Sequence, residues 1–381
     1  MIRFSALMLG IALVASESRA QAPATALRDT LDARSAAFLK SSGTPGLAVG
    51  VWKDGKVVYA RGFGVLALGG GRAVTPQTVF HMASISKTFV AMGVLQLMEQ
   101  GKVKLDDPVT KYVPYFQLKD PRYKVITVRQ VLSHTAGMPD VTDYLWYKPE
   151  YDDKALERYI RGLKDSTLIA APGEKWQYSN IGFELLADLI ATVSGEPFEV
   201  YVQRHILTPA GMRHSTFLMT DVDSANLATG HLMGKKGQER SAYYPYNRRH
   251  AGSSTLHSNV DDMLRWGAIN IGRGTLDGKK ILEPATYDLA WKPQIDLTSL
   301  YLGFMKQMKM DLPIRKVEMG LGWLLMDYNG HRVVNHDGSD RGFRSTLFIS
   351  PDRHTALVVF ANSSDANVEA FSFPLLDVVL R

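Results

Sequence analysis

The 381-residue chain has no cysteine at all. That excludes disulfides, thiolate metal sites and the lipid-bearing cysteine of an exported lipoprotein, so any nucleophile must be a hydroxyl, an amine or a carboxylate. Long hydrophobic runs are missing too: Phe4 to Ala15 is too short for a stable span, and no later segment reaches the ~20 apolar residues that a transmembrane helix needs. No His-Glu-x-x-His helix occurs and the histidines are dispersed, which argues against a zinc hydrolase. There is no Gly-x-x-x-x-Gly-Lys-Ser/Thr loop for a nucleotide, Gly62 and Gly64 followed by Ala67 match a dinucleotide fingerprint poorly, and no Gly-x-Ser-x-Gly elbow is present. The expected cofactor and metal set is therefore empty.

With 45% hydrophobic and 22% charged residues, the chain has the balance of an ordinary globular protein. Its first 22 residues combine a basic Arg3, the apolar run and a small-residue end at Ser18-Arg19-Ala20 or Ala20-Gln21-Ala22, the pattern of a cleavable secretory signal. The mature protein, residues 23–381, is expected to be secreted or periplasmic, without stable membrane insertion. The formal charge of +6 comes from dispersed basic residues, a solvated surface rather than a nucleic-acid footprint. The expected partner is a small-molecule or peptide substrate, and the pattern carries no sign of oligomeric state.

Hairpin signals stand near both ends. Leu47–Trp52 and Val57–Arg61 flank Asp54-Gly55, while Trp323–Tyr328 and His331–Asn335 flank Asn329-Gly330. Ser345–Ser350 and Thr355–Phe360 flank Pro351-Asp352. Helical spacing appears in Leu27–Lys40, Val128–Leu132, Gly182–Ser194 and Val260–Ile271, where Ser258 with Asp261 reads as a capping box. The expectation is an α+β fold: one antiparallel sheet of about five or more strands, built from both termini and covered by the first and last helices, beside an all-helical lobe. The sheet lobe takes about residues 27–110 and 315–381, and the helical lobe about 111–314. The stretches Tyr144–Tyr151 and Tyr243–Arg249 read as loops, and those around Trp146 and Tyr244 are expected to set specificity.

Three short motifs carry chemistry. Ser84-Ile85-Ser86-Lys87 opens a run to Met98 that is apolar nearly all round, hence a buried helix. Residues three apart share a helix face, so the Ser84 hydroxyl and the Lys87 amine can meet there. Partial burial and the positive helix end both favour the neutral amine, which makes a base for a serine nucleophile. The alternative is a capping serine followed by a surface lysine. Ser86, adjacent to Lys87, faces another way. The second motif, Tyr178-Ser179-Asn180, stands before a helix: Tyr178 can relay a proton and Asn180 can hold a substrate amide, or the two are a core aromatic and a cap. The third, His336-Asp337-Gly338-Ser339, ends a strand. His336 can contact substrate, Gly338 lets a substrate backbone approach the strand edge, and the Ser339 amide with that of Ser84 can form an oxyanion hole. His134 and Asp140 suggest a Ser-His-Asp triad, but His134 reads as structural.

Taken in order, Ser84-Ile85-Ser86-Lys87, Tyr178-Ser179-Asn180 and His336-Asp337-Gly338 resemble the motifs of the serine β-lactamase-related family, which includes class C β-lactamases, D-alanyl-D-alanine carboxypeptidases, D-aminopeptidases and esterases. The resemblance extends to Phe80–Ala83, Leu132–Gly137, Pro209–Met212 and Gly342-Phe343, from about Pro45 to Asn362. It implies a two-lobed fold with Ser84 in the cleft, Ser84 as nucleophile, Lys87 and Tyr178 as the proton-handling pair, and Asn180 and the His336 strand as substrate contacts. Class C β-lactamases usually carry lysine where this chain has His336. That departure favours peptide, amide or ester substrates over efficient β-lactam hydrolysis, with Arg341 or Arg344 as candidate partners of a substrate carboxylate. A D-amino-acid-type peptidase or a carboxylesterase is the leading reading; a weak class C-like β-lactamase and a penicillin-binding sensor that acylates without turnover are the alternatives.

Overall fold

The computed structural model describes the backbone from Gly10 and the side chains from Thr25 to the C-terminus. The start of the expected secretory leader, and every side chain of it, lie outside the described residues. Eight strands form one antiparallel sheet: β1 (Gly46–Lys53), β2 (Lys56–Gly64), β3 (Ile295–Asp296), β4 (Ile314–Met319), β5 (Leu324–Tyr328), β6 (His331–Asp340), β7 (Phe343–Ser350) and β8 (Thr355–Ala361). Their spatial order is β2-β1-β8-β7-β6-β5-β4-β3, so the two ends of the chain meet at the β1–β8 pair. Both Xaa-Gly turns form as expected, with Asp54 and Gly55 at φ 49° and 85° and Asn329 and Gly330 at 52° and 79°.

Period-2 alternation divides the core between the two faces of the sheet. In β8, Leu357, Val359 and Ala361 face one side, where helices α1 (Gly10–Ser42) and α6 (Val368–Val379) cover them. Ala356, Val358 and Phe360 face the other, against α4 (Val260–Ile271) and beyond it α2 (Ser86–Glu99) and α3 (Asn180–Ser194). The close approach of α4 depends on Gly50: a Cβ there would sit 2.4 Å from a Val260 methyl and 3.0 Å from a Leu264 methyl. A third layer that the hairpin pattern did not show is thus built from a helix the sequence reading assigned to the helical lobe.

Three further differences concern boundaries. The cap of α4 is Asn259, whose side chain accepts the Asp262 amide at 2.9 Å, so the expected Ser258 box is displaced by one residue. The sheet also extends to residues 295–296 and 314, inside the stretch expected to be helical, because β3 and β4 add an edge beyond β5. Finally, β6 continues through Asp340, so the third motif forms the end of that strand, which runs five residues beyond the expected Asn335. Among the described residues no helix is long and apolar enough to cross a membrane.

Candidate active site

Ser84 sits in a tight turn, Ala83–Ile85, that feeds directly into α2. Ala83 before it has φ 48°, a left-handed conformation that a residue with a Cβ adopts only when its surroundings impose it. They do so through β6 and β7. The Ser345 hydroxyl donates to the Met82 carbonyl at 2.7 Å, and a Cβ on Gly338 would stand 2.2 Å from that same oxygen. The glycine of the third motif therefore makes room for the turn that carries Ser84, and it also lines the cleft. Ser86 is fully buried; its hydroxyl donates to Ala83 O (2.6 Å) and accepts from the Leu256 amide (3.0 Å), which removes it as a nucleophile.

Lys87 and Tyr178 converge on Ser84 from two sides. Lys87 Nζ and the Tyr178 hydroxyl each lie 2.9 Å from Ser84 Oγ. Lys87 is wholly buried; its other hydrogen bond is to the Ser253 carbonyl at 2.9 Å, and the rings of Tyr178 and Phe183 lie 5.1 and 5.8 Å from Nζ. Ser253 is held in turn by the buried Glu184 carboxylate, which accepts from the Ser253 hydroxyl and, at 2.8 Å, from the Gly252 amide. Neither Ser253 nor Glu184 stood out in the sequence, since the alignment of a carbonyl from residue 253 with an amine at residue 87 is a product of tertiary packing.

Tyr178 is oriented by His134. Their rings stack at 4.4 Å and 26°, and His134 Nδ1 accepts the Ser179 amide at 3.2 Å. Burial first, then the electrostatic influence of Lys87 and of the neighbouring His336 ring, push the His134 imidazole well below its usual range, so it is a neutral platform. Asp140 does not touch it. The Asp140 carboxylate instead accepts the Asn180 amide (2.8 Å) and side-chain N–H groups (2.9 and 3.1 Å), which disposes of the Ser-His-Asp arrangement and fixes Asn180.

His336 is buried and pushed down to about 3, first by desolvation and then by Lys87. Its Nδ1 donates to the Asp337 carbonyl at 2.8 Å, which leaves Nε2 as an acceptor. A neutral acceptor thus occupies the position where the resemblance leads one to look for a lysine. Strand register supplies the rest of this wall. β5 ends at Leu324, opposite Asn335, so beyond that residue β6 has a free edge. His331 closes the two-residue hairpin with Tyr328, and alternate residues from it turn their amides toward the β5 side, which leaves the Ser339 amide at the free edge.

Ser84, Tyr178, Asn180, His336, Gly338 and Ser339 all line one cleft of about 560 Å³, with Lys87 buried beneath it. Tyr144 lines it as well, from the expected specificity loop, but Tyr244 packs against His81, His257 and Phe343 and takes no part. Arg341 and Arg344 are also absent from the lining: Arg341 Nε donates to Ser241 Oγ (2.9 Å), and Arg344 Nη1 donates to the carbonyls of Asp340 and Phe343 (3.3 and 3.1 Å). The wall that went unnoticed in the sequence is α5 (Thr298–Gln307) with Leu297 before it. Its signal was available, because Leu297, Leu300, Tyr301 and Phe304 recur at i, i+3, i+4 and i+7.

A hydroxyl flanked by an amine and a phenol at the floor of a cleft, on this sheet-and-helix scaffold, defines the class of serine hydrolases with the β-lactamase/transpeptidase-like fold. The sequence profile of the Beta-lactamase family matches residues 31–376, and the chain belongs to that family. It is 26% identical over 334 residues to Protein flp of Staphylococcus aureus (strain MW2), an alignment that takes in 85% of this chain and 61% of the relative, so the chain spans well under two thirds of that protein's length. Among solved structures, the octameric penicillin-binding protein homologue from Pyrococcus abyssi superposes with a TM-score of 0.77 at 25% identity, over 91% of this chain and 77% of the other. A class C beta-lactamase shares the fold, with a TM-score of 0.72 at 22% identity over 92% and 96% of the two chains.

Proposed function

We propose that the protein is an exported hydrolase that opens amide, peptide or ester bonds through a covalent acyl-enzyme on Ser84, as a D-amino-acid-type peptidase or a carboxylesterase. The observation that carries this reading is the position of Ser84 Oγ, 2.9 Å from both Lys87 Nζ and the Tyr178 hydroxyl. In the proposed reaction the Lys87–Tyr178 pair takes the hydroxyl proton as Oγ adds to the substrate carbonyl. The Ser84 amide, at the start of a helix where the first N–H groups have no intrahelical acceptor, and the free-edge Ser339 amide receive the oxyanion. The Tyr178 hydroxyl then protonates the leaving amine or alcohol as the carbonyl re-forms. Water, deprotonated by the same pair, adds to the acyl ester and releases the acid with Ser84 restored.

Support for peptide, amide or ester substrates over β-lactams comes from His336, a neutral acceptor where a β-lactam carboxylate would want a cation. The test is intact-protein mass spectrometry after exposure to a fluorophosphonate, with peptide mapping. A single adduct on Ser84, lost in Ser84→Ala, is the expected result. An adduct elsewhere, or none, overturns the assignment. Acylation by an ester followed by no release of a second equivalent would convert the hydrolase into a sensor. The export reading is checked by locating the full-length protein in the source cell, where retention of residues 1–22 in a cytoplasmic fraction would sink it.

A further inference from the structure

From the cleft walls we infer that the site selects uncharged substrates carrying an apolar group, which lies against α5, and rejects substrates with a carboxylate at that end. This rests on the Ser84 reading and narrows it. Leu297, Leu300, Tyr301 and Phe304 present one helical stripe to the cleft, and Met319 and Leu324 from the adjoining strands complete an apolar surface. Leu300 and Phe304 are 57% and 49% exposed, large apolar side chains held out in the same cleft that Ser84 lines. A monomeric protein gains no stability from such exposure, whereas a ligand that covers them removes their surface from water.

Charge points the same way. Among the described residues no lysine or arginine lines the cleft, and both candidate arginines are engaged elsewhere by the hydrogen bonds given above. His134 and His336 are neutral, and the one carboxyl in the lining, Asp337, would repel an anion if ionised. A substrate carboxylate seated on α5 would lose its water without gaining a partner. The stripe lines the same cleft as Ser84, and the apolar group belongs either to the acyl part or to the alcohol or amine part. The experiment distinguishes these.

The full-length protein is assayed with p-nitrophenyl esters from acetate to octanoate and with alkyl acetates from methyl to hexyl, and with the p-nitrophenyl half-ester of adipate beside the hexanoate. In one of the two series kcat/KM should rise by up to about fourfold per methylene, the equivalent of ~0.8 kcal/mol for each group buried. The half-ester should fall at least about tenfold below the hexanoate if the acyl series responds; if the alkyl series responds, the same comparison is made with an alcohol that ends in a carboxylate. Leu300→Ala and Phe304→Ala should flatten the slope, and Leu300→Arg should narrow the gap between charged and uncharged substrates. A flat response in both series, or equal rates for charged and uncharged members, overturns the inference. Fluorophosphonate labelling of Ser84 is measured in the same preparation: labelling with flat slopes refutes the apolar subsite alone, and no labelling refutes the nucleophile on which it rests.

Discussion

Replacing Gly338 by alanine tests whether the strand builds the turn that carries Ser84. The added Cβ would stand 2.2 Å from Met82 O and 2.2 Å from Ser345 Oγ, and separations under 3.0 Å are not sustained by real Cβ atoms. Ser345 can rotate away, at the loss of its 2.7 Å hydrogen bond to Met82 O, worth ~1 kcal/mol. Met82 O is backbone and has no such freedom. It must move by about 0.8 Å, from 2.2 to 3.0 Å, and it lies two residues before Ser84. Overpacking of this kind costs ~1–3 kcal/mol, so the total loss of stability should be about 2–4 kcal/mol. A misplacement near 1 Å at a reacting group lowers the rate by about 10²-fold. The assay is kcat/KM on an activated ester together with urea unfolding at a temperature where the variant stays folded. Adding Ser345→Ala should recover part of the stability and little of the rate, because the contact with Met82 O remains. A Gly338→Ala protein with unchanged rate and unchanged stability would refute the claim that this glycine serves the serine turn.

Three other outcomes follow from the site. Lys87→Ala should slow acylation by ~10²–10⁴-fold, read as the rate of fluorophosphonate adduct formation, and Tyr178→Phe, which keeps the stack on His134, should fall within the same range; a near-normal rate in either removes that group from proton transfer. Asp140→Ala releases the Asn180 side chain and should raise KM several-fold with a smaller change in kcat, so an unchanged KM would mean that Asn180 does not contact substrate. The third concerns pH. His257 and His336 are both held down to about 3 by burial, below their ordinary 6.5, so between those values the unfolded chain binds protons that the folded chain does not. Stability should therefore be intact above pH 6.5 and fall as pH drops toward 3, by about 1.4 kcal/mol per pH unit at most for each histidine. Urea titrations across that range check it, and His257→Gln should flatten the slope.

Much of the fold is written in local pattern. Asp54-Gly55 and Asn329-Gly330 dictate tight turns by their tolerance of positive φ, and the strands they join are short enough for alternation to reveal them. The same holds for the face shared by Ser84 and Lys87, set by helix periodicity alone, and for a buried α2, set by apolar residues on all sides. Residue chemistry on adjacent turns is short-range information, and a sequence carries it directly. What required the tertiary structure was geometry across long separations: the 2.9 Å approach of Tyr178 to Ser84, which the motif resemblance paired only in role, the Ser253 carbonyl at 166 residues from Lys87, and Gly338 against Met82. The sequence offers Gly338 as room for a substrate backbone; that it also makes room for Met82 O is a fact of packing, because a glycine has no side chain to show which neighbour needs the space. His336 is neutral because of burial, and burial is a property of the packed neighbours rather than of the residue. The α5 wall had a visible helical stripe, but an apolar stripe ordinarily faces a core; only the position of the cleft decides that this one lines the cleft of Ser84.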